Sequence, residues 1–143
     1  MATLGGPTVG SMPRELMALQ MYAEYAHRVD DGRIREWSEL FADDGVMAVR
    51  GEEHVGPKGI YAYLTKARVD GEPSTARHLI TNVRVDVDGD HAAMRADFTH
   101  LRVAGGLATT EMVGAYRTRM RWHSDEWKLV RHEVSFLLDL PTN

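Results

Sequence analysis

Residues 76–138 read ARHLITNVRVDVDGDHAAMRADFTHLRVAGGLATTEMVGAYRTRMRWHSDEWKLVRHEVSFLL, and this stretch decides the fold. Apolar and polar residues alternate through it, the period of strands with one buried face. Asp88-Gly89 is a tight-turn signal. Ala104-Gly105-Gly106 and Ser124-Asp125 make two further breaks. The pattern predicts four strands, over about 76–87, 91–103, 109–122 and 126–138, joined by short turns into an antiparallel meander.

Alternation also assigns faces. In the second strand Ala92, Met94, Ala96, Phe98 and His100 share the apolar side, opposite Arg95, Asp97 and Thr99. In the third, Met112, Gly114, Tyr116, Thr118, Met120 and Trp122 oppose Arg117, Arg119 and Arg121, which form the outer face. In the first strand His78 and Ile80 have the opposite parity to Val83, Val85 and Val87. A bulge near Thr81-Asn82 would bring both sets to the core face.

Upstream, the period changes to that of helices. Leu16, Leu19, Met21, Tyr22, Ala23, Tyr25, Ala26 and Val29 predict a helix over about 13–29, with Ser11 as N-cap and Pro13 in its first turn. Asp31-Gly32 ends it. A second helix is expected over about 33–42, closed by Asp43-Asp44-Gly45 and followed by a short strand, Val46 to Val49. Gly51 to Gly59 is rich in turn residues, and Ile60, Tyr63, Leu64 and Ala67 predict a third helix over about 57–67. Helices in one half and strands in the other make an α+β domain.

Composition narrows the function. The 143 residues carry 17 Lys+Arg and 21 Asp+Glu, a net charge of −4, which argues against a nucleic-acid partner. No apolar run approaches a membrane span, so no membrane partner is expected. There is no cysteine, which removes thiolate chemistry and Cys-ligated zinc and fits a cytoplasmic protein. Residues 1–12 lack the charge and apolar run of a signal peptide and read as a flexible tail before one domain over 13–143. No His-Glu-x-x-His, phosphate loop or Gly-x-Ser-x-Gly occurs, so no metal or cofactor is expected.

The helix-helix-strand-helix order before four long strands resembles the nuclear transport factor 2-like superfamily. Local signatures place the resemblance in its SnoaL-like branch. They are Tyr25-Ala-His-Arg-Val-Asp30, Trp37-Ser-Glu-Leu-Phe41-Ala-Asp-Asp44-Gly, Gly56-Pro-Lys-Gly59-Ile60, Arg77-His78-Leu-Ile-Thr-Asn82-Val, Asp88-Gly-Asp90 and Trp127-Lys-Leu-Val. The resemblance covers about 13–138. It implies a cone-shaped α+β barrel, a curved antiparallel sheet around three N-terminal helices with an apolar pocket. It also implies a homodimer or homotrimer that covers the outer sheet face, including Val113, Ala115 and the arginines. The superfamily holds scytalone and bile-acid dehydratases, lindane dehydrochlorinase, polyketide cyclases, ketosteroid isomerase, limonene epoxide hydrolase and members without chemistry, so the site must decide function.

Taken alone, Asp30 with Asp31-Gly32 reads as a solvated turn, and a carboxylate at a helix C-terminus is disfavoured. The resemblance instead implies that Asp30 points into the pocket and pairs with His78. His78 would then take a proton from a substrate C–H, and Asp30 would orient its ring. Tyr25 matches a dehydratase tyrosine that polarises the substrate or assists a leaving oxygen; otherwise it is a core tyrosine, and Tyr22 is the alternative pocket tyrosine. His100 is a second proton donor or a core histidine, with Asp97 as a rival on the outer parity. The face of His132 is ambiguous. Asn82 contacts a ligand oxygen or supports the bulge. Met21, Trp37, Phe41, Tyr63, Phe98, Met112 and Tyr116 would line the pocket. His27, His54, His91 and His123 fall in exposed or turn contexts.

The expected function is a cofactor-independent lyase or isomerase, dehydratase- or cyclase-like, acting on a small, apolar, cyclic molecule. The alternatives are a non-catalytic ligand-binding or assembly protein and, third, an epoxide-hydrolase-like enzyme.

Overall fold

The computed structural model describes residues 12–141. The expected Ser11 cap and all but the last residue of the expected tail over 1–12 lie outside the described residues. The elements are α1 (Arg14–Asp30), α2 (Ile34–Ser38), β1 (Phe41–Val49), β2 (Glu52–Val55), α3 (Gly56–Leu64), β3 (Ala76–Asp88), β4 (His91–Ala104), β5 (Leu107–His123) and β6 (Glu126–Asp139). No helix among the described residues is long and apolar enough to cross a membrane.

One sheet runs β2-β1-β6-β5-β4-β3. The four long strands form the predicted meander, and β6 then pairs in parallel with β1. The sheet is curved but open, with β2 and β3 as its edges, so the barrel does not close.

The helix α1 buries Ala18, Tyr22, Tyr25 and Val29, spaced 4, 3 and 4 apart along one face. That face meets the inward rows of the sheet. Register sets Met94, Thr118, His132 and Met47 in one transverse row and Ile80, Phe98, Gly114 and Phe136 in another. Gly114 is required there because a Cβ would strike the Ser135 carbonyl and lie 2.7 Å from the Phe98 ring. Phe98 stacks on Tyr116 with ring centroids 4.4 Å apart.

Two segments differ from expectation. The second helix stops at Ser38, and Phe41 begins β1. Asp43-Asp44-Gly45 is an irregularity inside that strand, where pairing with β6 jumps from Phe41 to Val46. The turn-rich segment after Gly51 contains β2, an edge strand of mostly exposed residues.

The bulge in β3 lies where parity required it. Pairing with β4 skips between Thr81 and Arg84, and Asn82 has a φ of 54°. Ala76, His78 and Ile80 face inward before it, and Val83, Val85 and Val87 after it.

Candidate active site

Asp30 is the last residue of α1 and is 4% exposed. A buried carboxylate at that end of a helix needs compensation. The β3 strand supplies it. The His78 ring Nδ1 lies 2.6 Å from Asp30 Oδ1, and the His78 backbone N–H donates to Asp30 Oδ2 at 2.9 Å. Burial alone would raise the Asp30 pKa, but these bonds and the nearby His78 charge hold it below the usual carboxylate range. Asp30 is therefore an acceptor, and the His78 ring donates to it from Nδ1 whether the ring is charged or neutral. The neutral form is the one with base character, because its Nε2 lone pair is free. The His78 side chain is 15% exposed, so the ring is reachable.

The turn after α1 brings the helix end and β3 together. Gly32, at a φ of 81°, lets Glu72 and Pro73 cross directly over it, where a Cβ would collide with their backbone. The Ser74 N–H then donates to Asp30 O, two residues before β3 begins. Arg68 Nη2 donates to Val29 O and closes the helix end.

His100, on β4, pairs with His78 in register, and their ring centroids are 4.5 Å apart. It is buried at the inward parity. Burial, and then the neighbouring His78, push its pKa down to about 4. Its Nδ1 is 3.2 Å from Glu111 Oε2, off the line of a full hydrogen bond. Glu111 is held on its other side by Arg102, whose Nε donates to Oε1 at 2.5 Å. Neither Glu111 nor Arg102 is among the residues expected from sequence.

Tyr25 packs against Trp37, Tyr116 and His132 and meets the His78 ring edge-on at 6.4 Å. Burial raises its pKa, so it is a phenol at neutral pH. Tyr22 lies deeper. Its hydroxyl is 2.7 Å from Thr118 Oγ1, which is 2.9 Å from His132 Nδ1. His132 faces inward, fully buried, and its Nε2 has no hydrogen-bond partner among the rings of Phe41, Tyr25 and Tyr116. Thr118 stood at an inward parity position, which was the available signal for this network.

The structure thus gathers Asp30, His78, His100, Tyr25, Tyr22, Trp37, Phe41, Phe98 and Tyr116 inside the cone. The last two, with Trp37 and Phe41, are each 2% exposed and pack on one another as core. Met112 sits beside His100 in register. Tyr63 stands apart from the dyad, accepting a hydrogen bond from Arg50 Nη1 at 2.8 Å and stacking on His54 at 4.2 Å. His54 is therefore half-buried rather than solvated.

Asn82 does not join the site. It is exposed and donates to Asp97 Oδ2 at 2.8 Å on the outer face. The bulge that turns His78 inward turns Asn82 outward, which corrects the expectation of a ligand contact. Among the described residues, no three His, Asp or Glu side chains converge as a metal-binding set. Three surface depressions of 450 to 540 Å³ lie on the outer sheet face and beside β1, lined by residues such as Arg117, Arg119 and Asp43, away from Asp30 and His78.

The fold recurs in solved structures. The chain is similar to a proposed aromatic ring hydroxylase from Novosphingobium aromaticivorans, at 28% identity over 92% of this chain and 96% of that one, with a TM-score of 0.72. An NTF2-like protein with a cystatin-like fold from the same organism is 26% identical over 87% of this chain and 80% of that one, with a TM-score of 0.70. A proposed scytalone dehydratase, again from that organism, shares the fold at 17% identity and a TM-score of 0.73, over 91% and 89% of the two chains. No curated protein matches the chain. The SnoaL-like domain profile matches residues 14–133, nearly the whole described fold, and the chain belongs to that family.

Proposed function

We propose that this protein is a cofactor-independent lyase or isomerase, dehydratase- or cyclase-like, that moves a proton on a small, apolar, cyclic substrate. One observation carries the reading: a single buried carboxylate holds both the ring and the backbone of a reachable histidine. That arrangement fixes the tautomer and stabilises the imidazolium that forms when Nε2 takes a proton. In an elimination, the C–H proton passes to His78 Nε2, and its electron pair forms the new double bond. The bond to the leaving oxygen breaks while Tyr25, kept protonated by burial, donates a hydrogen bond to that oxygen, and the proton taken by His78 passes to it, so that water leaves and His78 returns to its neutral form.

The test is a panel of small cyclic β-hydroxy carbonyl compounds, assayed with wild type, His78→Ala and Asp30→Asn. The expected loss of turnover in His78→Ala is roughly 10²–10⁴-fold, the usual contribution of a general base. Turnover that survives both substitutions refutes the mechanism. A second reading, a non-catalytic binding or assembly protein, draws on the closed aromatic interior around Tyr25 and Tyr116. It predicts that wild type turns over nothing in the panel.

A further inference from the structure

The pairing of β4 with β5 jumps from His100–Met112 to Leu101–Thr110. Glu111 is the extra residue of that bulge. Strict alternation from Met112 would turn it outward; the bulge leaves it buried, beside inward-facing Met112. Its carboxylate lies between two side chains of β4. Arg102 donates to it from Nε at 2.5 Å and from Nη2 at 3.3 Å, and His100 Nδ1 approaches it at 3.2 Å. Arg102 Nη1 donates to Thr75 Oγ1 at 3.1 Å, which fixes the guanidinium in turn.

We propose that Glu111 is a positioning residue that holds His100 in its Nδ1–H tautomer, so that His100 meets the substrate as a hydrogen-bond acceptor through Nε2. The argument is one of donors and acceptors. Arg102 has no acceptor to offer, so Glu111 remains a carboxylate with only lone pairs for its neighbours. The His100 atom facing it must therefore carry the proton. A neutral imidazole has only one N–H, and its Nε2 is then a lone pair. This reverses the expected role of His100 as a proton donor. The consequence for substrate rests on the catalytic reading of His78: the substrate offers its C–H to one imidazole and an O–H to the other.

The arrangement parallels the first pair. Asp30 meets His78 Nδ1 in a 2.6 Å hydrogen bond, Glu111 faces His100 Nδ1 in a looser contact at 3.2 Å, and the two ring centroids are 4.5 Å apart. A further difference lies in the cation, because Arg102 neutralises Glu111. The charged and titratable groups around His100 are His78 on β3, Glu111 on β5, Asp30 on α1 and Arg102 on its own strand.

Imidazole ¹⁵N–¹H correlation NMR on the ligand-free protein tests this without a substrate. Wild-type His100 is expected to show a protonated Nδ1 and an unprotonated Nε2. In Glu111→Gln, Arg102 takes the amide oxygen, so the amide NH₂ faces His100. Nδ1 must then accept, and the proton moves to Nε2, while His78 keeps its wild-type pattern. A second variant, Arg102→Met, leaves the carboxylate uncompensated and is expected to raise the His100 titration midpoint. A wild-type His100 with its proton on Nε2 overturns the proposal, whether or not either variant folds. So does an unchanged tautomer in Glu111→Gln or an unchanged midpoint in Arg102→Met. None of these readouts depends on turnover. The His78 mechanism and the Glu111 assignment therefore fail separately.

Discussion

Acid should unfold this protein through His132. The ring is fully buried on β6 and neutral in the fold, with burial pushing its pKa down to about 3. In the unfolded chain a histidine titrates near pH 6.5. Between those two values the unfolded chain binds more protons, so stability rises with pH and is lost on acidification. The contribution is complete above about pH 6.5 and declines as pH falls toward 3. The linkage relation gives a loss of about 1 kcal/mol at pH 6 and about 2 kcal/mol at pH 5 from this one residue. His100, with its pKa also depressed, acts in the same direction. His132→Leu isolates the larger contribution. At pH 7.5 it should cost about 1 kcal/mol, the net value of the Thr118 hydrogen bond. Between pH 7.5 and pH 5 it should then lose about 2 kcal/mol less than wild type. Urea denaturation at a series of pH values measures both curves. Parallel curves would refute the reasoning, because they would mean that His132 takes its proton equally well in the folded state.

Two backbone positions give further tests. Gly114→Ala drives a methyl into the Ser135 carbonyl and the Phe98 ring, and should cost about 3 kcal/mol in urea, the scale of an overpacked core. A loss below the scatter of the measurement would mean that β5 and β6 can part there. Asn82→Val puts a β-branched residue at a φ of 54° and should cost about 2 kcal/mol. Asn82→Gly, free of that strain, should stay near wild type and keep the His78 backbone amide protected from hydrogen exchange.

The four long strands were legible because each keeps a strict two-residue period against one core. The β1 region was not. Trp37, Leu40 and Phe41 recur at helical spacing, yet Phe41 lies in a strand whose parallel partner is 88 residues further on, at Leu129. Nothing local announces a pairing of that range. The β2 edge strand was hidden for a different reason: Glu52, Glu53 and His54 lack the apolar face that marks a buried strand, and an edge strand can do without one.

The site shows the same division more sharply. His100 could be placed by alternation, and His78 only by postulating a bulge, because its parity was wrong without one. Glu111 stayed invisible, since in a regular β5 it points to solvent and looks like an ordinary surface carboxylate. What converts it is one unpaired residue in the ladder, which costs a backbone irregularity and brings a charge inside.

Charges brought inside a small core must be answered by partners from other elements. Asp30 on α1 is answered by the ring and amide of His78 on β3, with Arg68 closing the helix end behind it. Glu111 on β5 is answered by Arg102 and His100 on β4, and Arg102 reaches back to Thr75 beside β3. The two pairs therefore tie one helix to three strands. At the β4–β5 bulge, where Glu111 drops out of the ladder, its contacts with Arg102 and His100 join the same two strands through side chains. The geometry that orients two imidazoles is thus the same geometry that holds the distorted end of the sheet together.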